Sequence, residues 1–223
     1  MSAIRSRWVR RLTLCLVFIF VSGSAVAKKE ANLLPMPELG EEGLYQQLWF
    51  ENTFFDLRQD LKEASAQGKR LVIFWEQRGC PYCKATHVTN LRIPKIVNYL
   101  KSNFYVLRLN LWGSINVTDF DGKVLSEKDL ARKYAILFTP TIQFFPETLK
   151  IVNNKPGHKA EVMRVPGYFK PFEFYFLFRY IKEKGYEQEP SFQAWLNTRG
   201  KELSARGFNL EHLLSADTLD FEE

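Results

Sequence analysis

The chain alternates between helical and strand-like hydrophobic spacing. Between Leu44 and Gln67, "LYQQLWFENTFFDLRQDLKEASAQ", apolar positions such as Leu57, Leu61 and Ala64 recur at helical intervals, and Gly68 follows as a cap. The spacing predicts a helix over 44–67. "RLVIFWE" is a short, continuous apolar run rich in β-formers and predicts a buried strand. A second helix opens at residue 80 and is predicted to break or kink at Pro94. "FYVLRLNLW" predicts another strand, and Asp121-Gly122 in "DFDGKV" a turn. Ser126 caps a helix over "SEKDLARKYAI". "PTIQFFP" and "EVMRVPGY" then read as strands, before a last helix in "KPFEFYFLFRYIKEKGY". The order helix, strand, helix, strand, helix, strand, strand, helix predicts an α/β sandwich with a mixed central sheet.

Outside that pattern the ends read differently. "KKEANLLPMPELGEEG" has Pro35, Pro37 and charges without a sustained period, so 28–43 reads as a linker ahead of a domain over 44–187. Residues 188–223 read as an extension. In it Phe192, Trp195, Leu196 and Leu203 share a helix face expected to dock on the chain's own domain, and the acidic end "DTLDFEE" is expected to fray. No internal repeat is visible.

Charge and composition matter mainly through the first 27 residues. Four arginines without an acid precede the apolar run "LTLCLVFIFVSGSAVA", which ends small-x-small at Ala25-Val26-Ala27. That is the pattern of a cleavable signal peptide, and the run is short for a membrane span. Removing it would lower the formal charge from +6 to +2, so the basic balance gives no reason to invoke nucleic acid. Removing it also takes away Cys15 and leaves Cys80 and Cys83 as the only cysteines.

A bridge across two intervening residues closes almost no loop and contributes little as a staple, so chemistry is the better reason for the pair. Haem attachment would need a histidine where Lys84 stands. Structural zinc needs four ligands, whereas Cys80, Cys83 and His87 make three, and His87 reads as a helix-surface or packing histidine. A two-thiolate Cu(I) site stays open. Redox chemistry fits what is present. Cys80 stands at a helix start with Pro81 in the first turn, where free N–H groups favour a thiolate. Cys80 is therefore read as the exposed nucleophile and Cys83, one turn in, as the buried resolving thiol. Arg78 and Lys84 flank the pair.

With "VIFW" leading into "CPYCK", "LARKYAI" into "FTPT", and Gly167 after the last strand, residues 50–185 resemble a thioredoxin-fold domain. The resemblance implies a three-layer α/β/α sandwich and no cofactor beyond a redox-active Cys80–Cys83 disulfide. It also implies a cis Pro140 facing the pair, with Thr139, Pro81 and Tyr82 beside it in substrate binding. Ile73 departs from the family, standing where thioredoxins proper keep a buried aspartate that assists proton transfer from the resolving thiol; Glu76 either replaces that aspartate or, on the plainer reading, is a solvated loop residue. "EQRG" also alters the approach to the first cysteine. The signal, the long first helix and "DFDG" are similar to the SoxW-type thioredoxins of bacterial sulfur oxidation. That likeness implies a periplasmic protein that reduces disulfide-containing exported proteins and is fed by a CcdA-like membrane donor.

Direction of electron flow turns on Tyr82. Strong oxidants of the fold hold a histidine between their cysteines, and Tyr82 supplies no positive charge, so reduction is the favoured direction. A disulfide oxidase or isomerase, and a non-enzymatic Cu(I)-binding or interaction module, are the alternatives.

Overall fold

A computed structural model describes residues 33–221 of the chain. The expected signal peptide and its cleavage point lie outside the described residues.

Asp56 starts the first helix, α1 (Leu57–Ala66), by accepting hydrogen bonds from the backbone N–H groups of Arg58 and Gln59. The helix is shorter than the expected 44–67. Phe55 has φ +54°, outside the helical region, and the backbone before it bonds elsewhere in the domain. Residues 33–56 form an irregular strap. The Leu34 N–H donates to the Arg92 carbonyl, the Glu51 N–H to that of Val106, and Phe55 accepts from Thr118. The segment read as a linker is thus tied down from Leu33 onward.

The strand β1 (Arg70–Glu76) is buried along its whole length. It leads into α2 (Pro81–Val88), a 3-10 turn at Asn90–Arg92, and α3 (Pro94–Asn103). Pro94 separates the two helices and occupies the first turn of the second, where its missing N–H costs nothing. Then come β2 (Phe104–Asn110) and a hairpin of β3 (Asn116–Thr118) and β4 (Val124–Ser126) around Asp121-Gly122. Helix α4 (Glu127–Lys133) precedes β5 (Thr141–Phe144), and two single turns, α5 (Leu149–Val152) and α6 (Gly157–Ala160), precede β6 (Met163–Pro166). The long α7 (Pro171–Lys182), a turn α8 (Gly185–Gln188), α9 (Phe192–Ala205) and α10 (Leu210–Ser215) complete the described chain.

The central sheet has order β2-β1-β5-β6, with β1 parallel to β2 and the other neighbours antiparallel. Its two faces feed two cores. Leu71, Ile73 and Trp75 point into one, with Leu57 and Leu61 of α1 and Leu130 of α4. Val72 and Phe74 point into the other, with Ile96 and Val97 of α3 and the phenylalanines of α7. This is a thioredoxin-like fold, with helices on both sides of a mixed sheet. The aromatic run in α7 is core material, Phe178 stacking on Phe74 at 6.1 Å. The extension completes that core through Trp195, Leu196 and Leu203 of α9. The acidic end does not fray over 217–221, because Leu219 and Phe221 are buried against α7.

Candidate active site

Gly79 takes φ +73°, a left-handed turn that swings the chain from β1 into α2. Cys80 is the N-cap, and its Sγ accepts from the Cys83 N–H at 3.0 Å, with Pro81 in the first turn. The two cysteines form a disulfide with Cα atoms 5.3 Å apart. A sulfur in that position sits where helix N–H groups and dipole favour negative charge. Exposure separates the two less than expected: Cys80 is 7% exposed and Cys83 3%, so the cap position distinguishes them, not access alone.

The structure brings Thr139 against the pair. Its carbonyl oxygen lies 3.4 Å from Cys80 Sγ, and the Thr139–Pro140 bond is cis. Pro140 is buried, and its carbonyl accepts from the Gly167 N–H. Pro81 and Tyr82 are exposed, and the Tyr82 ring stacks on Tyr168. Leu137 and Phe138, just before Thr139, are also largely exposed.

Two residues differ from the sequence reading. Glu76 is not a solvated loop residue. It ends β1 and is fully buried, with Oε1 2.7 Å from His87 Nε2. His87 is neither on the helix surface nor a plain packing residue, since it too is fully buried and its Nδ1 lies 3.2 Å from Gln47 Nε2. The alternation of β1 explains the miss. Ile73 points toward α1, on the face away from α2, while Phe74 and Glu76 point the other way. Cys83 and His87, four apart, share a face of α2. That spacing was visible in the sequence, but the partner strand was not.

The strap closes one side of the site. Arg78 donates to the backbone carbonyls of Glu41 and Glu42. Between strap and disulfide lies a cavity of about 600 Å³, with Leu39, Leu44, Tyr45, Glu76, Cys80 and Cys83 in its wall. Among the described residues no cluster of three histidine, cysteine or acidic side chains is arranged to hold a metal, and both His87 nitrogens already have partners. Among them, too, no helix is long and apolar enough to cross a membrane.

A family profile described as a thioredoxin-like domain matches residues 57–182, just over half the chain. The comparison with curated protein sequences finds no match. Among solved structures, a thioredoxin-fold protein from Helicobacter pylori is 19% identical, covering 59% of this chain and 81% of its own, with a TM-score of 0.44. A thioredoxin from Thermus thermophilus is 25% identical, covering 57% and 84%, with a TM-score of 0.41.

Proposed function

We propose, for a chain that belongs to the thioredoxin-like domain family, that Cys80 and Cys83 make it an exported thiol-disulfide oxidoreductase working in the reducing direction. The observation that carries the reading is the Cys80 sulfur at a helix N-terminus, accepting from the Cys83 N–H beside the Thr139 carbonyl.

In the reduced protein the Cys80 thiolate attacks one sulfur of a substrate disulfide. A mixed disulfide forms, and the first substrate thiolate leaves and takes a proton. The Cys83 thiol then loses its proton and attacks Cys80 Sγ. The Cys80–Cys83 bond forms, the mixed disulfide breaks, and the second substrate thiol is released. Two electrons pass to the substrate, and the protein ends as the disulfide. Thr139 and Pro140 line one side of the approach, and Pro81 and the exposed Tyr82 ring the other.

The leader-like first 27 residues support a periplasmic site of action. The absence of a charged residue between the cysteines supports the reducing direction. The SoxW-type likeness, which keeps the leader and "DFDG" but not the long first helix, supports disulfide-containing exported proteins as substrates and a CcdA-like membrane dithiol as donor. Turnover of a protein disulfide with dithiothreitol as the electron source tests the reading, with Cys80→Ser as control. Reduction that Cys80→Ser abolishes is the expected result. Stoichiometric Cu(I) binding without turnover would move the protein to the carrier class, and an N-terminus at Met1 on the mature protein would overturn the cleaved leader.

A further inference from the structure

Among the described residues, the two most exposed large apolar side chains are Leu48 and Phe54, both on the strap and both fully exposed. Phe54 also belongs to the wall of a cavity of about 210 Å³, together with Asn52, Asp56, Asp60, Glu63 and Tyr105. A second cavity of about 410 Å³ takes in Leu48 and shares Asn52 with the first. Tyr105 pairs with Leu71, five positions before Glu76. Roughly 17 Å of strand therefore separates this pocket from the end of β1 that leads to Cys80. The pocket lies outside the redox site.

Asp60 is 2% exposed, and its Oδ2 has no hydrogen-bond partner. A buried acceptor left open is costly unless something arrives to use it. Asp56, Asp60 and Glu63 follow one another at helical intervals and share a face. Asp56 is engaged at the N-cap, and Glu63 accepts from the Gln59 amide and the Tyr105 hydroxyl. The basic side chains nearby are directed elsewhere. Arg58 donates to the Phe120 carbonyl, and Lys69 lies 3.9 Å from Glu51. An acidic wall with an open acceptor thus meets an exposed aromatic ring. A guanidinium matches both, because its planar fork of donors suits carboxylates and its face lies well on a ring. The volume is below the roughly 300–1,000 Å³ of small-molecule sites and suits a single side chain. We propose that this pocket is a socket for an arginine side chain of a partner protein. The guanidinium lies between Asp60 and the Phe54 ring, and apolar residues beside the arginine cover Leu48.

Binding of this kind depends on pH. The titratable groups that face Asp60 are Asp56 and Glu63 from α1 and Tyr105 from β2, with Glu51 of the strap near Tyr105. Burial raises the Asp60 carboxyl to about 7; the Thr53 hydrogen bond opposes this, and the Glu63 and Asp56 charges add to it. The Gln59 amide, followed by the Tyr105 hydroxyl, holds Glu63 below the usual carboxylate range. An arginine uses the ionised form of Asp60, which is about a tenth of the population at pH 6 and about nine-tenths at pH 8. Affinity should therefore rise about tenfold across that interval.

The probe is the peptide acetyl-Leu-Arg-Leu-amide, titrated into isotope-labelled protein and followed by heteronuclear NMR. The same peptide with citrulline keeps the shape of arginine and removes its charge. Shifts are expected at the amides of Phe54, Asp60 and Tyr105. At pH 8 the arginine peptide should bind at least about tenfold more tightly than the citrulline peptide. Asp60→Asn should weaken it at least about tenfold and abolish the gain from pH 6 to pH 8. Phe54→Ser changes a fully exposed side chain and should weaken it about threefold. Equal binding of the citrulline peptide, unchanged affinity in Asp60→Asn, or no shifts at millimolar peptide would overturn the socket. Free argininamide that binds as tightly as the peptide would overturn the partner protein as the source. The readout needs no turnover, so its failure leaves the oxidoreductase reading intact.

Discussion

Phe221 stacks on Phe176 of α7, ring planes 11° apart and centroids at 5.7 Å. Lys95 of α3 lies 3.7 Å above the Phe221 ring and donates to its carbonyl at 2.7 Å. Two residues before the end of the chain, a phenylalanine thus joins α3 to α7. Phe221→Ala is expected to cost about 3 kcal/mol, as core Phe→Ala changes do. For a domain of this size that lowers Tm by roughly 10 °C. Thermal unfolding followed by circular dichroism checks this, and a shift within a degree or two would mean the tail adds nothing to the core.

If Cys80 attacks and Cys83 resolves, Cys83→Ser should accumulate mixed disulfides with exported proteins, and Cys80→Ser almost none. Serine supplies no thiolate to expel the bound partner. Non-reducing gels followed by mass spectrometry of the adducts read this directly. The reverse pattern would exchange the roles of the two cysteines.

The Cys80–Cys83 couple is expected near roughly −200 to −250 mV, since the residues between the cysteines carry no positive charge to stabilise the thiolate. Tyr82→His should raise it, because a histidine there adds that charge, and should lower the Cys80 pKa. Equilibration against glutathione buffers gives the two potentials, and thiolate absorbance followed against pH gives the Cys80 pKa. A wild-type potential near about −120 mV would place the protein among oxidants.

Asp60 on α1 is buried, with one carboxylate oxygen lacking a hydrogen-bond partner. Burial pushes its pKa from 3.8 to about 7; a hydrogen bond from Thr53 opposes this, and the Glu63 and Asp56 charges add to it. A carboxyl raised in the fold binds its proton more tightly folded than unfolded. Its contribution is therefore full below about pH 4 and is lost as pH rises toward 7, on the order of 4 kcal/mol in all. Urea titrations from pH 4.5 to 7.5 should show wild-type stability falling with pH relative to Asp60→Asn. Parallel curves would show that the carboxyl ionises freely.

The sheet and its layers were legible because β1 and β2 are seven-residue strands rich in apolar β-formers and α7 has nine buried positions, signals that need no partner to be read. The cysteine pair and Thr139-Pro140 were legible as short motifs. The strap was not. The helical spacing at Leu57, Leu61 and Ala64 does not continue backward, because the preceding residues bond instead to Arg92, Val106 and Thr118. Glu76 stands out in the sequence as a stand-in for the missing aspartate, but the sequence favours a solvated loop residue for a related reason. Its burial depends on which face of β1 lies under α2, and on a histidine and a glutamine that only the tertiary fold brings to it.

The bond from the Glu51 N–H to the Val106 carbonyl falls on β2, the outermost strand of the sheet. A bare edge strand is a template for pairing with another chain, and here the strap covers part of it. The segment that covers this edge also carries the Gln47 amide that meets His87. Loosening it would bare part of that edge and take the Gln47 partner from a buried imidazole on the cysteine helix in the same step, so one segment braces two distant parts of the domain.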